Sequence, residues 1–526
     1  MIKRKIIFDI ALTVGMVLVA IGITAIAVLR SRTFHRYVLS KIVDQASQAT
    51  GARVAIGDFQ LHLSSLRIDF DRIVLHGSEA ASLSPLLQID HVRVRLKIVS
   101  LRRHKIELNE IVIDRPSIRF SVDQYGRSNL PRPPRSTARG GGTNIFSLAI
   151  GHVVVNHGEL DYNDRRIFLD GEVHDLLAQV SFDSAKTEYD GTLGYRDGRF
   201  QVGGFNPVQH GLQVRFGATP SGVTFPPLMF SAGGSTITVQ ARLRDYGNPL
   251  IDGSYQADVS TKELGKILKV TPFPAGQING RGSLHYQNRA NHTFLDNFST
   301  AGQFHSQALA LKMPQVHAKF RAVSGDYRLS GGTVEAHNVQ CDVLGGKVSG
   351  ELTLTHLAER PLAQFTAAVH GLSLEAVSAA LDTKPLERAA ISGIVQGTLK
   401  GSWEGSGRDL QLRADATIAA SAPARQGVGT RPNAIPLQGD LHLAYAARNG
   451  VISLSNSQLT TSHTSVKLDG STGKQSSLAI QAQSDDLREV DQIVLIARHA
   501  MEGSKPSSPK SIEPLGIGGS ATFVGQ

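Results

Sequence analysis

From Gly51 to Leu130 the apolar residues recur at every second position, and this period limits the possible folds more than any other feature of the chain. Val54 and Ile56 come first, then Phe59, Leu61 and Leu63, then Leu66, Ile68 and Phe70. Leu87 and Ile89 follow, then Val92, Val94, Leu96 and Ile98, then Ile106, Leu108, Ile111 and Ile113, and lastly Ile118, Phe120 and Val122. Between them stand Gln60, His62, Arg67, Asp69, Arg93, Arg95, Lys97, Glu107 and Arg119. A period of two is the β-strand period, so each segment has one apolar and one wet face. The stretch is expected to form a meander of antiparallel strands with one apolar side.

The chain has 526 residues, of which 41% are hydrophobic and 19% charged, a balance that excludes wholesale disorder. Its single cysteine, Cys341, allows no internal disulfide and no CxxC site, and is expected to be a small apolar strand residue. The net charge of +10 is uneven. Residues 1–142 hold 22 Lys and Arg against 11 Asp and Glu, while the rest hold 33 against 34. Beside a hydrophobic segment, such a bias fits a membrane surface; the alternatives are a soluble basic strand face or nucleic acid, for which no recognisable motif is present.

Residues 10–29, including Ile10, Val14, Val17, Leu18, Ile21 and Leu29, carry no charge. At ~1.5 Å per residue they make roughly 30 Å of helix, enough to cross a bilayer core. Lys3, Arg4 and Lys5 precede the run, while Arg30, Arg32 and Arg36 follow it. A retained anchor and a cleaved leader, with Ala25-Ile26-Ala27 as the cleavage signal, are the two alternatives. A short amphipathic helix is expected next, over 33–50, with Tyr37, Val38, Ile42, Val43 and Ala46 on its apolar face and Gly51 as its stop.

Pro131, Pro133, Pro134 and Gly140 to Gly142 mark a linker, and a second insertion spans 422–436. Gly158 to Asp164 is expected to turn into a strand ending near Leu169, with Asp161 and Asp164 as turn residues. Short strands then recur, as at 191–195, 200–202, 212–216, 237–243 and 255–259. An internal repeat starts near residue 250. Val259-Ser260-Thr261-Lys262-Glu263-Leu264 opens a helix, Leu372-Ser373-Leu374-Glu375-Ala376-Val377 does so 113 residues later (372 − 259), and Asp485-Asp486-Leu487-Arg488-Glu489-Val490 after another 113 (485 − 372). About 35 strands of this spacing are expected in all.

Catalytic signatures are lacking: there is no HExxH, GxSxG or GxxxxGK[ST] motif. His152 with His157, or His62 with His76, are the candidate imidazole pairs, more simply placed on strand faces. A carboxylate-lined β-helix enzyme is the enzymatic alternative, but the acids alternate with bases or fall in turns. The expectation is a chain that is not an enzyme and has neither metal nor cofactor.

Four motifs carry a family resemblance. Thr50-Gly51-Ala52-Arg53-Val54-Ala55-Ile56 follows the anchor; Leu101-Arg102-Arg103-His104-Lys105-Ile106-Glu107-Leu108 and Ile111-Val112-Ile113-Asp114-Arg115-Pro116 come next; Asp123-Gln124-Tyr125-Gly126-Arg127-Ser128-Asn129-Leu130 closes the module. In order, spacing and placement this resembles the N-terminal module of the AsmA and TamB superfamily. The resemblance implies a single-pass bacterial inner-membrane protein with a β-rich periplasmic body, associated with phospholipid movement between the membranes and with outer-membrane assembly.

The expected fold is mainly β: an elongated, curled antiparallel sheet forming a taco-like or β-helix-like trough, with a few short helices and one N-terminal transmembrane helix. Its parts are a cytoplasmic tip and anchor (1–32), an AsmA-like module with its leading helix (33–130), a linker (131–143) and a repetitive rod (144–526) that stops in mid-repeat. A one-faced sheet must either close on itself or receive acyl chains. The expected function is phospholipid transfer along the trough, lined by Val54, Ile56, Phe59, Leu61, Leu63, Leu66, Ile68, Phe70, Val92, Val94, Leu96, Ile111, Ile113, Ile118 and Phe120. The expected partners are phospholipid acyl chains, the inner membrane and an outer-membrane or periplasmic protein at the C-terminal end. The alternative is an assembly factor that aids outer-membrane proteins through edge-strand contacts.

Overall fold

A computed structural model of the chain describes residues 31–79, 83–97, 108–131, 146, 149–166, 168–289, 292–313, 316–357, 360–381, 388–405, 409–423, 434–473, 476–501 and 516–525. The apolar run 10–29 lies outside these residues, as do most of 131–143 and of 422–436. Among the described residues no helix is long and apolar enough to cross a membrane. The fold is mainly β, with 24 strands and five short helices in the described residues, and the chain divides into two compact units, 1–232 and 233–526.

The first unit opens with helix α1 (Arg32–Thr50). The Ser31 hydroxyl accepts the Phe34 N–H at 3.2 Å, and Gly51 ends the helix with φ 68°, a conformation that suits glycine. Half-buried positions recur at Phe34, Val38, Ile42 and Ala46, the period of an amphipathic helix. Tyr37, expected on the apolar face, is instead 63% exposed. Strands β1 (Arg53–His62), β2 (Arg67–His76), β3 (Leu87–Leu96) and β4 (Leu108–Val122) form the expected antiparallel meander. β5 (His152–Asp164) then lies parallel to β4, Ile111 beside Val153 and Phe120 beside Tyr162. Gly158 to Asp164, expected as a turn, is therefore the second half of a strand. β6 (Leu169–Asp183), β7 (Glu188–Val202), β8 (Val208–Thr219) and β9 (Gly222–Ala232) continue antiparallel.

The second unit is an antiparallel succession from β10 (Ser235–Arg244) to β24 (Ala521–Gly525). Helices occupy all three repeat positions, each set between two strands that pair antiparallel. α2 (Thr261–Leu268) joins β11 (Leu250–Ser260) to β12 (Ala275–Gln287); α4 (Leu374–Ala380), after the one-turn α3 (Phe294–Asn297), joins β17 (Leu362–Ser373) to β18 (Ser392–Glu404). α5 (Leu487–Met501) lies between β23 (Ser477–Ser484) and β24. The Ser373 hydroxyl accepts the Ala376 N–H at 3.2 Å, and the Asp486 carboxylate accepts the Arg488 N–H at 3.0 Å.

The strands are fewer and longer than the sequence suggests, because breaks in the alternation are creases rather than turns. In β1 the apolar residues Val54 and Ile56, then Phe59 and Leu61, are half-buried or buried; in β3 the same holds for Leu87 and Ile89, then Val92 and Val94. The phase slips by one residue in mid-strand, yet the pairing register from β1 to β4 carries across the slip unchanged, shifting only at the end of β3 between Arg95 and Leu96. At that level Arg72, Arg115, His157 and Asp175 hold left-handed backbone, with φ of 54°, 49°, 51° and 53°. Such a residue turns the following side chains over, so apolar residues of both phases stay on one face. The crease ends where β7 gains one residue between Tyr195 and Gly198, after which β8 alternates without a break. In the second unit, β14 (Val316–Ser330) and β15 (Thr333–Val343) bear the same device at Ala322 and Asn338, with φ of 47° and 52°. The stretches 191–195 and 200–202, expected as separate strands, are accordingly two parts of the single strand β7.

Candidate functional site

The apolar face of the first unit is built from cross-strand rows. Leu61, Ile68, Val94, Ile111, Val153 and Val180 form one, and Phe59, Phe70, Val92, Ile113, Val155 and Ala178 the next. Beyond the crease come Ile56, Ile73, Ile89 and Pro116, and then Val54, Leu75, Leu87, Ile118, Leu160 and Val173. Cross-strand neighbours sit on one face about 5 Å apart, so each row is a continuous strip of hydrocarbon.

The predicted lining residues divide into two groups. Phe59 is 4% exposed, covered by α1, with its ring 5.1 Å from that of His35 and 6.3 Å from that of Phe70. Val92, beyond Phe70 in the same row, is buried too, as is Ile89 across the crease. Val54, Ile56, Leu61, Ile68, Phe70, Val94, Ile111, Ile113 and Phe120 are only half-buried, and Ile118 is 37% exposed. Phe120 stacks on Tyr162 at 5.4 Å. Leu66 closes the β1–β2 connection, its carbonyl accepting the Leu96 N–H at 2.9 Å, and Leu96 pairs with Leu108. Leu63 lies in the same connection, in the 3-10 turn Leu63–Ser65, and its side chain lies outside the described residues.

The opposite face is charged. The Asp69 carboxylate, 5% exposed, accepts from Arg67 Nε at 2.8 Å and Arg93 Nε at 3.3 Å, and lies within 3.4 Å of His62 and His91. His91 also meets Asp71 at 2.8 Å. His62 and His76 are thus not a pair: His76 faces Glu79 at 3.2 Å. His152 meets Ser181 at 3.0 Å, and His157 meets Asp175 at 2.6 Å. Among the described residues no three His, Cys, Asp or Glu side chains converge as a metal site.

At the end of β5, Asp164 is 1% exposed and accepts from Arg166 Nη2 at 2.7 Å and from the Arg166 N–H at 2.9 Å. The Arg166 guanidinium holds this carboxyl down at about 2. A depressed carboxyl stabilises the fold above its unfolded value of ~3.9, and that contribution disappears as pH falls through the folded value. A carboxyl-carbon NMR titration should therefore give Asp164 a midpoint near 2, with local loosening below it; a midpoint near the ordinary value would rule out the Arg166 clamp.

Alternation did not disclose two polar places on the apolar faces. In the first unit His210 sits among Tyr195, Phe200 and Phe230, its ring nitrogen 3.0 Å from the Tyr195 hydroxyl, and burial lowers its pKa. In the second, one row reads Tyr255, Gly282, Gly302, Tyr327. The two tyrosines lie over the glycines, their hydroxyls meet, and Thr300 Oγ1 is 2.9 Å from Tyr255. A Cβ on Gly302 would collide with the Arg281 carbonyl oxygen and stand 2.8 Å from both Gly282 Cα and the Tyr327 oxygen. Gly302→Val should overpack this rung and destabilise the second unit by about 2 kcal/mol, read as a lower thermal midpoint; an unchanged midpoint would mean that the β12 backbone at Arg281 and Gly282 and the Tyr327 ring all give way freely.

No family model matches the sequence, and no curated protein is significantly similar to it.

Proposed function

We propose that the chain carries phospholipid acyl chains on the apolar faces of its β units, anchored in the inner membrane by 10–29 with the bulk of the chain in the periplasm. The observation that supports this reading is incomplete cover. Rows of Val, Ile, Leu and Phe run across six strands, α1 buries only the part around Phe59, and the outer rows are left half-exposed. Hydrocarbon of this extent in contact with water is unfavourable at roughly 25 cal/mol per Å², and acyl chains relieve it.

The same term supplies the mechanism. Moving a phospholipid through water costs ~0.8 kcal/mol per CH₂, about 25 kcal/mol for two chains of roughly 16 carbons. A strip of apolar side chains removes most of that barrier, and no group need make or break a bond. Weak, uniform contact favours sliding over capture. The creases matter here, because they keep the strip on one face where simple alternation would send it to the other. Native mass spectrometry with lipid extraction on the purified full chain tests the proposal. Several phospholipids per chain are expected, and a lipid-free chain would refute it.

A further inference from the structure

The aligned ends of the strands in the first unit carry a feature that the apolar face does not explain. Val122 of β4 lies level with Asp164 of β5, Asp164 with Leu169 of β6, and Leu169 with Val202 of β7, so the connections that leave these positions share one edge. The β2–β3 connection joins them, since Leu75 pairs with Leu87 and Leu87 with Ile118. At this edge Tyr125 is 74% exposed, Phe168 73%, Leu83 60%, Leu130 48% and Phe205 45%.

These tips are fastened to one another. The Ser78 N–H and hydroxyl donate to the carbonyls of Asn129 and Ser128, both at 2.9 Å. The Arg165 N–H donates to Val122 O at 3.0 Å, and the Gly203 N–H to Phe168 O at 2.8 Å. The Arg166 side chain lies against Gly126. Scattered exposed apolar residues are ordinary, but a fixed row of them on the connections along one strand edge is not.

The charges at the edge are arranged to suit. Asp123 and Asp164 are neutralised from within, by Arg127 at 2.7 Å and Arg166 at 2.7 Å. Both guanidiniums remain more than half exposed, and Arg127 also lies over the Tyr125 ring, 5.3 Å from its centre. Each keeps N–H groups free to meet a phosphate oxygen, while the paired acids offer an anionic surface little to repel. Aromatic rings beside arginines are the side chains that settle at the headgroup level of a bilayer. Projecting tips suit a soft planar surface, whereas a folded partner needs a matching concavity.

We infer that this rim, with Tyr125, Phe168 and Phe205 as its anchors and Arg127 and Arg166 as its phosphate contacts, docks the first unit on a phospholipid surface. This goes beyond acyl-chain carriage and is independent of it, since none of these five residues lies in the rows described above. The test uses the full chain with Trp403→Phe, so that Phe168→Trp or Tyr125→Trp is the sole tryptophan. The protein is reconstituted in vesicles of phosphatidylcholine and phosphatidylglycerol. Lipid with brominated acyl chains is supplied either in the host vesicles or in separately added ones. Quenching of about twofold or more in either arrangement, with a blue-shifted emission, is expected. A Tyr246→Trp reporter in the second unit gives the background quenching from anchorage alone. Rim quenching no greater than that background would overturn the proposal and point to a protein partner for the rim. So would undiminished quenching of a Leu130→Trp reporter in a folded Tyr125→Ser, Phe168→Ser, Phe205→Ser chain.

Discussion

A chain carrying Leu61→Glu and Val94→Glu is expected to keep its circular dichroism spectrum and lose its bound phospholipid. The two residues belong to one row, on either side of Ile68, and both are half-buried. Within a closed core, two carboxylates placed there would be stranded without partners, at several kcal/mol each, and the first unit would unfold. On a face covered by acyl chains the penalty falls on the complex instead. The lipid departs, water takes its place, and the carboxylates are solvated. A loss of 1.4 kcal/mol in lipid binding is tenfold in affinity, and two carboxylates at several kcal/mol each go well beyond that, so a decrease of at least about tenfold in co-purified lipid is expected. Two results oppose this outcome: unfolding of the variant, which would make the row part of a core, and unchanged lipid in a folded variant, which would place the lipid elsewhere.

Much of the strand content was visible in the residues, because side-chain direction in a strand depends only on parity. Leu61, Ile68, Val94 and Ile111 share a row as alternation requires. The helices at 261, 374 and 487 likewise follow a local signal, a serine or aspartate cap before a short amphipathic run. What was not visible is non-local. A slip of phase at Gly57 or Asp90 reads in one dimension like the end of a strand. Only the facing left-handed residues, Arg72 and Arg115, show that the strand continues and merely turns its side chains over. Neighbours across a parallel ladder also leave no trace in sequence order, so the placing of Val153 and Val155 beside Ile111 and Ile113 could not be anticipated. Nor does parity reveal what lies above a residue. Phe59 and Leu61 look equivalent in the pattern, yet Phe59 is buried against His35 of α1 while Leu61 is only half-buried.

That inequality makes Phe59→Ala the counterpart of the double glutamate variant. Phe59 is 4% exposed, wedged between His35 of α1 and Phe70 of β2, with the Ser47 hydroxyl accepting the Val54 N–H at 3.2 Å to hold the same helix on the same strand. Truncating a buried phenylalanine typically costs 3–5 kcal/mol, part of it from the cavity left behind. For a unit of this size, about 3 kcal/mol corresponds to a fall of roughly 6–12 °C in the thermal midpoint of the first unit. Amide hydrogen exchange should quicken along α1 before it does in β3 and β4, because the lost contact is the one that seats the helix. Bound lipid should change little under conditions where the unit stays folded. An unshifted midpoint would mean that α1 rests on β1 without stabilising it. A large loss of lipid from a stable Phe59→Ala chain would instead extend the acyl-chain surface beneath the helix.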